Sequence, residues 1–138
     1  MALEMKFELR EGDFTMAGRA SSKIKKMLNQ LNVEPKSIKR IVVAIYEAEV
    51  NVVAHSFGGE MIVQINDNSI EVELVDRGPG IENIEKAMEA GFTTASKKLR
   101  EMGFGAGMGL PNIKKNTDEL KITSEPGKST KVWFKNYY

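Results

Sequence analysis

The 138-residue chain is 41% hydrophobic, and a chain of that length can bury roughly two-thirds of its unfolded surface without disulfide or metal staples. It has no cysteine, which excludes disulfides, cysteine-ligated zinc, iron–sulfur clusters and thiol catalysis. Twenty basic and 19 acidic residues leave a net charge of +1, and the clusters Lys23–Lys26, Lys97–Arg100 and Lys114–Lys115 are short, so the charge points to neither nucleic acid nor an anionic membrane.

Met1-Ala2-Leu3-Glu4 lacks the charged-then-apolar order of a signal peptide. No apolar run approaches the roughly 20 residues of a membrane span. The expectation is one cytoplasmic domain over residues 1–138. Met5, Phe7 and Leu9 alternate with charged residues, which predicts a strand. From about Phe14 to Leu31 the spacing turns helical, with Ala20, Ile24, Met27, Leu28 and Leu31 on one face. Pro35 opens a second helix at a favoured first-turn position. That helix runs to about His55 and is apolar nearly all round, the pattern of a helix buried on several sides. Strands follow over Met61–Asn66 and Ile70–Asp76, with Asp67-Asn68 as the turn. Asp76-Arg77-Gly78-Pro79-Gly80 stops the second of them. A short helix is predicted over about Asn83–Ala90, an irregular stretch over Gly91–Gly107 and a further helix from near Gly109 to about Asn116. Leu120–Ser124 and Thr130–Asn136 read as strands joined by a Glu-Pro-Gly-Lys turn. Consecutive strands with short turns are antiparallel, and helices and strands come in runs. The fold class expected is a two-layer α/β sandwich, a mostly antiparallel mixed sheet with helices on one face.

Three places in this order carry candidate chemistry. Glu47 and Asn51 stand four apart, so they share a helix face, almost opposite Ile38 and Ile45. A carboxylate can orient or deprotonate a hydroxyl, and an amide oxygen is a hard ligand suited to Mg²⁺. By spacing alone the pair reads equally as two surface polar residues. Asp76 ends a strand ahead of Gly78 and Gly80, which let the backbone turn and approach a flat ligand; an ordinary turn has the same composition. Gly103, Gly105, Gly107 and Gly109 alternate just before a helix, and seven of the twelve glycines lie between Gly78 and Gly109. Bare amides leading into a helix N-terminus form a phosphate cradle. The dinucleotide fingerprint does not fit, because glycine offsets of 0, 2 and 5 from Gly103 or Gly105 end on Met108 or Leu110. Gly127-Lys128-Ser129 imitates the end of a P-loop, but the glycine five places earlier would be Ile122.

Taken in order, Glu47-x-x-x-Asn51, Asp76-x-Gly78-x-Gly80, the Gly103–Gly109 run and Gly127-x-Ser129-Thr130 resemble the Bergerat-fold (histidine-kinase-like) ATPases of the gyrase, chaperone, histidine-kinase and mismatch-repair group. The resemblance spans about Pro35 to Phe134. The short chain, the Glu-Ala-x-x-Asn helix and the segment GMGLPNIKK look most like the stand-alone anti-sigma-factor and stressosome-switch serine kinases of bacteria. It implies ATP and Mg²⁺ as cofactors. Glu47 would be the general base or orienting carboxylate, and Asn51 the Mg²⁺ ligand. Asp76 would bind the adenine amine, with Gly78 and Gly80 beside the base and Thr130 supporting the pocket through Asp76 or a water. Gly103, Gly105, Gly107, Gly109 and Leu110 would cradle the phosphates. Thr93, Thr94 and Lys97–Arg100 would lie in a mobile lid.

Glu49 departs from the pattern, falling at the centre of the second helix's apolar face where Val or Ala is expected. The lone histidine, His55, reads as a helix-end residue rather than a phosphoacceptor. The leading expectation is a protein serine/threonine kinase that transfers the ATP γ-phosphoryl group to a regulatory protein, an anti-sigma antagonist-like substrate. The alternatives are a nucleotide-gated module that sequesters a sigma factor or regulator without chemistry, and a slow ATPase. A homodimer is compatible with each; nucleic acid and membrane are not expected as partners.

Overall fold

The computed structural model describes residues 3–13, 17–78, 88, 109–124 and 127–138. The described elements are β1 (Leu3–Leu9), α1 (Arg19–Gln30), α2 (Pro35–His55), β2 (Gly59–Ile65), β3 (Ser69–Asp76), α3 (Gly109–Lys115), β4 (Glu119–Ser124) and β5 (Thr130–Tyr137). The five strands form one sheet in the order β1-β2-β3-β5-β4, and every described pairing is antiparallel. The helix expected at 83–90 and the irregular stretch at 91–107 lie outside the described residues.

Alternation along each strand decides which sheet face meets the helices. Register then lines the inward residues into rows: Phe7–Met61–Leu74–Val132–Ile122 and Met5–Val63–Val72–Phe134–Leu120. Val63, Val72 and Phe134 are fully buried. The outward rows carry charge, with ion pairs Lys6–Glu60 at 3.3 Å and Lys131–Glu73 at 3.6 Å. The described helices cover the inward face alone. α2 supplies Ile38, Ile41, Ala44, Ile45, Ala48 and Val52 to the core; α1 adds Ile24 and Leu28, and α3 adds Leu110 and Ile113. At about 1.5–3 kcal/mol for each large aliphatic side chain buried, this layer is the main favourable term of the fold.

α2 begins on Pro35, as its fixed φ favours. It is tied down at three points. Near its start, Arg40 Nη1 lies 3.1 Å from Asp118 Oδ1, while Asp118 Oδ2 accepts the Tyr137 N–H at 2.8 Å. The Tyr137 amide, joined by the Arg40 guanidinium, holds the Asp118 carboxyl below the usual carboxylate value. At its end, the Ser56 hydroxyl donates back to the Val52 carbonyl at 2.9 Å. At its middle stands Glu49.

α1 starts at Arg19, later than the periodicity suggests, because Gly18 sits at φ 94° and cannot continue a helix. The first turn of α1 has no side-chain cap of its own. Glu49, 1% exposed, supplies it from α2. Its Oε2 accepts N–H bonds from Gly18 and Ala20 at 3.2 Å each, and its Oε1 accepts the Ser21 N–H at 2.9 Å. Four N–H groups at a helix start lack intrahelical partners, and a carboxylate there also meets the positive end of the helix dipole. The residue that looked out of place on an apolar face is therefore a tertiary helix cap. α1 closes with Asn32 at φ 58°, where Val33 N–H reaches Leu28 C=O and Asn32 N–H reaches Asn29 C=O, a Schellman ending.

Burial pushes the Glu49 carboxyl above its ordinary value of 4.5, with the three amide bonds acting in the opposite direction. The native state therefore holds this proton more tightly than the unfolded chain. Stability from that difference is complete below the ordinary value and is lost as pH rises through the raised one. Glu49→Ala leaves buried amides unpaired and should cost about 1–3 kcal/mol in urea unfolding. The penalty should be larger in mildly acidic buffer than in alkaline buffer; a variant as stable as wild type would remove Glu49 as the cap of α1.

Candidate functional site

The faces of α2 do opposite work. Glu49 and Val53 face inward; Glu47 and Asn51, one turn apart and half-buried, share the far side. A cavity of about 300 Å³ lies on the Glu49 side, lined by Phe7, Leu9, Arg10, Asp13, Arg19 and Val53 among others. None of the candidate chemical residues lines it, so the site has to be located by its chemistry.

The start of α3 faces Glu47 and Asn51. An ideal Cβ placed on Gly109 would lie 3.8 Å from Glu47 Oε2 and 4.0 Å from Asn51 Oδ1. Carboxylate, carboxamide and the first residue of α3 thus converge, with Leu110 buried behind them. Asn112, on the same short helix, donates from Nδ2 to Glu47 Oε1 at 3.2 Å. The Asn51 side chain has no hydrogen bond among the described residues, and an amide oxygen is a ligand suited to a hard cation.

The second half of the site stands at the end of β3. Asp76 Oδ1 accepts the Gly78 N–H at 2.9 Å and the Thr130 N–H at 2.8 Å. Gly78, at φ 102°, turns the chain where a side chain would be strained. The Thr130 hydroxyl pairs with that of Ser124 at 2.6 Å, so the start of β5 and the end of β4 share the same hub. This hub is fixed to α2 through the backbone: Phe57 N–H bonds Gly78 C=O, and Arg77 N–H bonds Gly58 C=O, each at 2.8 Å. Since residues 56–58 follow α2 directly, Asp76 is held close to the end of the helix that carries Asn51. Among the described residues Asp76 uses one oxygen for both amides, so Oδ2 can accept from a further donor such as an exocyclic amine.

Of the residues singled out from sequence, Glu47, Asn51, Gly109 and Leu110 come together on the α2–α3 side, and Asp76, Gly78 and Thr130 form the strand-end hub. Thr130 reaches Asp76 through its main chain, its hydroxyl being engaged with Ser124. Gly80, Thr93, Thr94, Lys97–Arg100, Gly103, Gly105 and Gly107 lie outside the described residues, as does the His55 side chain; His55 itself ends α2. Sequence reasoning missed Asn112, Ser124 and Phe57. Phe57 is exposed, with a ring carbon 3.8 Å from a Cβ placed on Gly78. The sole advance signals were an amide side chain one turn into a helix and an aromatic in a polar turn. Among the described residues no three His, Cys, Asp or Glu side chains cluster as a metal site, and no helix is long and apolar enough to cross a membrane.

Comparison with known proteins agrees with this fold. A family model described as the histidine kinase-like ATPase domain matches residues 13–135. An anti-sigma F factor of Caldanaerobacter subterraneus is 37% identical over 113 residues, 78% of this chain and 76% of the relative. The serine/threonine-protein kinase RsbT of Bacillus subtilis is 34% identical over 97 residues, 67% of each chain. Two solved structures share the fold. One holds the RsbU and RsbW domains of a Mycobacterium tuberculosis protein, at TM-score 0.63 and 16% identity, covering 97% of this chain and 31% of that one. The other is the SiaB–SiaC complex of Pseudomonas aeruginosa, at TM-score 0.57 and 12% identity, covering 97% and 89%.

The hub makes a prediction independent of any ligand. Asp76→Ala strands the Gly78 and Thr130 amides, so the nucleotide-free protein should lose about 1–3 kcal/mol of stability and exchange those two amide hydrogens faster. Unchanged protection at both amides would show that Asp76 does not join β3 to β5.

Proposed function

The chain belongs to the histidine kinase-like ATPase domain family, and we propose that it is an ATP-dependent protein serine/threonine kinase that phosphorylates a regulatory partner protein in the cytoplasm. The observation that carries this reading is the convergence of Glu47, Asn51 and Gly109, with Asn112 fixing one oxygen of Glu47. Relatives named anti-sigma F factor and serine/threonine-protein kinase support it.

In this reading the adenine amine donates to Asp76, whose position is set by the amides of Gly78 and Thr130. The triphosphate would run toward Gly109. Asn51 would hold Mg²⁺ through Oδ1; its fit rests on a hard amide oxygen at the start of α3 that has no side-chain partner among the described residues. Bound there, Mg²⁺ would neutralise phosphate charge. The remaining work belongs to the chain's own residues. Glu47 Oε2 faces the acceptor hydroxyl of the partner. The hydroxyl oxygen forms a bond to the γ-phosphorus as the bond to the β,γ-bridging oxygen breaks. ADP leaves, and the hydroxyl proton passes to the Glu47 carboxylate. Little covalent chemistry falls to the protein, so positioning and charge supply most of the rate.

A second reading draws on the name of the anti-sigma relatives: a module that sequesters a sigma factor or another regulator according to the nucleotide it holds. Glu47 separates the two, because only phosphoryl transfer needs its carboxylate.

Asn51→Ala should remove most of the gain in ATP affinity that Mg²⁺ confers, measured by calorimetry with and without the metal. If the full gain survives, the metal is held elsewhere. Glu47→Gln keeps the side chain's size and should leave ATP affinity within about twofold while slowing phosphate transfer to a partner captured from lysate by about 10²–10⁴-fold. A wild type that transfers no phosphate, yet binds that partner differently in ATP and ADP, would favour sequestration over catalysis.

A further inference from the structure

The contact between Asn112 and Glu47 points to a role for a residue to which the sequence reading gave none. We propose that Asn112 is a positioning residue for phosphoryl transfer: it holds Glu47 Oε1 so that Oε2 alone faces the acceptor hydroxyl. The inference rests on the kinase reading above.

The carboxylate of Glu47 is divided in function by its surroundings. Oε1 accepts the Asn112 Nδ2 hydrogen bond at 3.2 Å, whereas Oε2 lies 3.8 Å from where a Cβ on Gly109 would be, with Asn51 Oδ1 beside it at 4.0 Å. A carboxylate only accepts, so the group Asn112 presents to it is the NH₂. A glutamate free to rotate about its side-chain torsions would present either oxygen, in many directions. One fixed hydrogen bond to Oε1 orients the group and leaves the lone pairs of Oε2 for a proton. A neutral amide does this without placing a positive charge against the base. Lysine or arginine at this position would orient Glu47 equally well but would neutralise it.

The donor is itself anchored. The Asn112 carbonyl accepts the Asn116 Nδ2 at 2.8 Å, and the Asn116 carbonyl accepts the Asn136 Nδ2 at 2.8 Å. Asn136 is 1% exposed on β5. A chain of three asparagines thus runs from the buried sheet through the end of α3 to the carboxylate. Leu110 and Ile113, packed into the core on either side of Asn112, prevent α3 from rolling. Glu47 is oriented from α3, the helix whose first residue faces it, so its geometry is set by the packing of α3 against α2.

When the acceptor hydroxyl attacks the γ-phosphorus and ADP departs, Oε2 takes the hydroxyl proton; Asn112 touches neither substrate nor nucleotide in that step. The test combines three measurements on the full chain. In nucleotide-free ¹⁵N-labelled protein, the Asn112 side-chain NH₂ signal should move on Glu47→Ala. With Mg-ATP as donor and the captured partner as acceptor, Asn112→Ala should lower kcat about 10- to 100-fold while KM for ATP stays within about twofold. The near-isosteric Asn112→Asp should lower it further, because a second carboxylate would face Glu47; thermal unfolding of both variants reports whether the fold is kept. In the Glu47→Gln background Asn112→Ala should change kcat by less than about twofold, because the two residues act as a unit. A kcat unaltered in Asn112→Ala, or an equal loss in both backgrounds, overturns the proposal. Transfer lost in Glu47→Gln but kept in Asn112→Ala overturns this inference alone, whereas a wild type without transfer overturns it together with the kinase reading.

Discussion

Glu49 sits in the interior of the molecule and binds three backbone amides at the start of α1. Without that carboxylate the first turn of α1 would hold donors with no acceptor, at a total cost of about 1–3 kcal/mol. With it, α1 cannot slide along α2, because the cap is specific to one register. The raised proton affinity of Glu49 reflects the cost of keeping a carboxylate away from water, which the amides offset only in part.

From this contact the arrangement of α2 follows. A helix anchored to α1 by Glu49, to the β4–β5 edge by Arg40 and Asp118, and to the end of β3 by residues 56–58 has no freedom to rotate. Its far side therefore presents Glu47 and Asn51 at fixed positions. The Asp76 hub adds the other end of the site, because the backbone bonds that join Phe57 to Gly78 and Arg77 to Gly58 tie the strand-end carboxylate to the helix. A flat base near Asp76 and a polyphosphate near Asn51 would thus be bound by two elements whose separation the backbone sets. α3 supplies the third part, orienting Glu47 from the opposite flank through Asn112.

Much of this was legible in the chain. α2 ran as expected from Pro35 to His55, since proline marks one end and apolar spacing the rest. Alternation in the first strand and the turn residues between the others located all five described strands to within a few residues. The features that escaped are those whose partners lie far along the chain. Glu49 looked like a misfit because its donors are main-chain amides 28–31 positions away, which no side-chain pattern displays. The link between Asp76 and Thr130 spans 54 residues and also ends on an amide, so the sequence suggested the neighbourhood but not the bond. α1 is shorter than its hydrophobic spacing suggests because the left-handed backbone at Gly18 leaves no mark in that spacing. Asn112 was passed over because a single amide on a short helix has the composition of any exposed turn.

In the proposed reading the nucleotide lies on the Glu47–Asn51 side of α2, against the Asp76 hub, and away from the cavity beside Glu49. Titration of ¹⁵N-labelled protein with Mg-ATP, followed by amide chemical shifts, tests this directly. The amides of Asn51, Gly78, Gly109 and Thr130 should shift with a common saturation curve, while those of Gly18, Ala20 and Ser21 stay in place. Shifts concentrated at Gly18, Ala20 and Ser21, with Asn51, Gly78 and Thr130 unmoved, would contradict it.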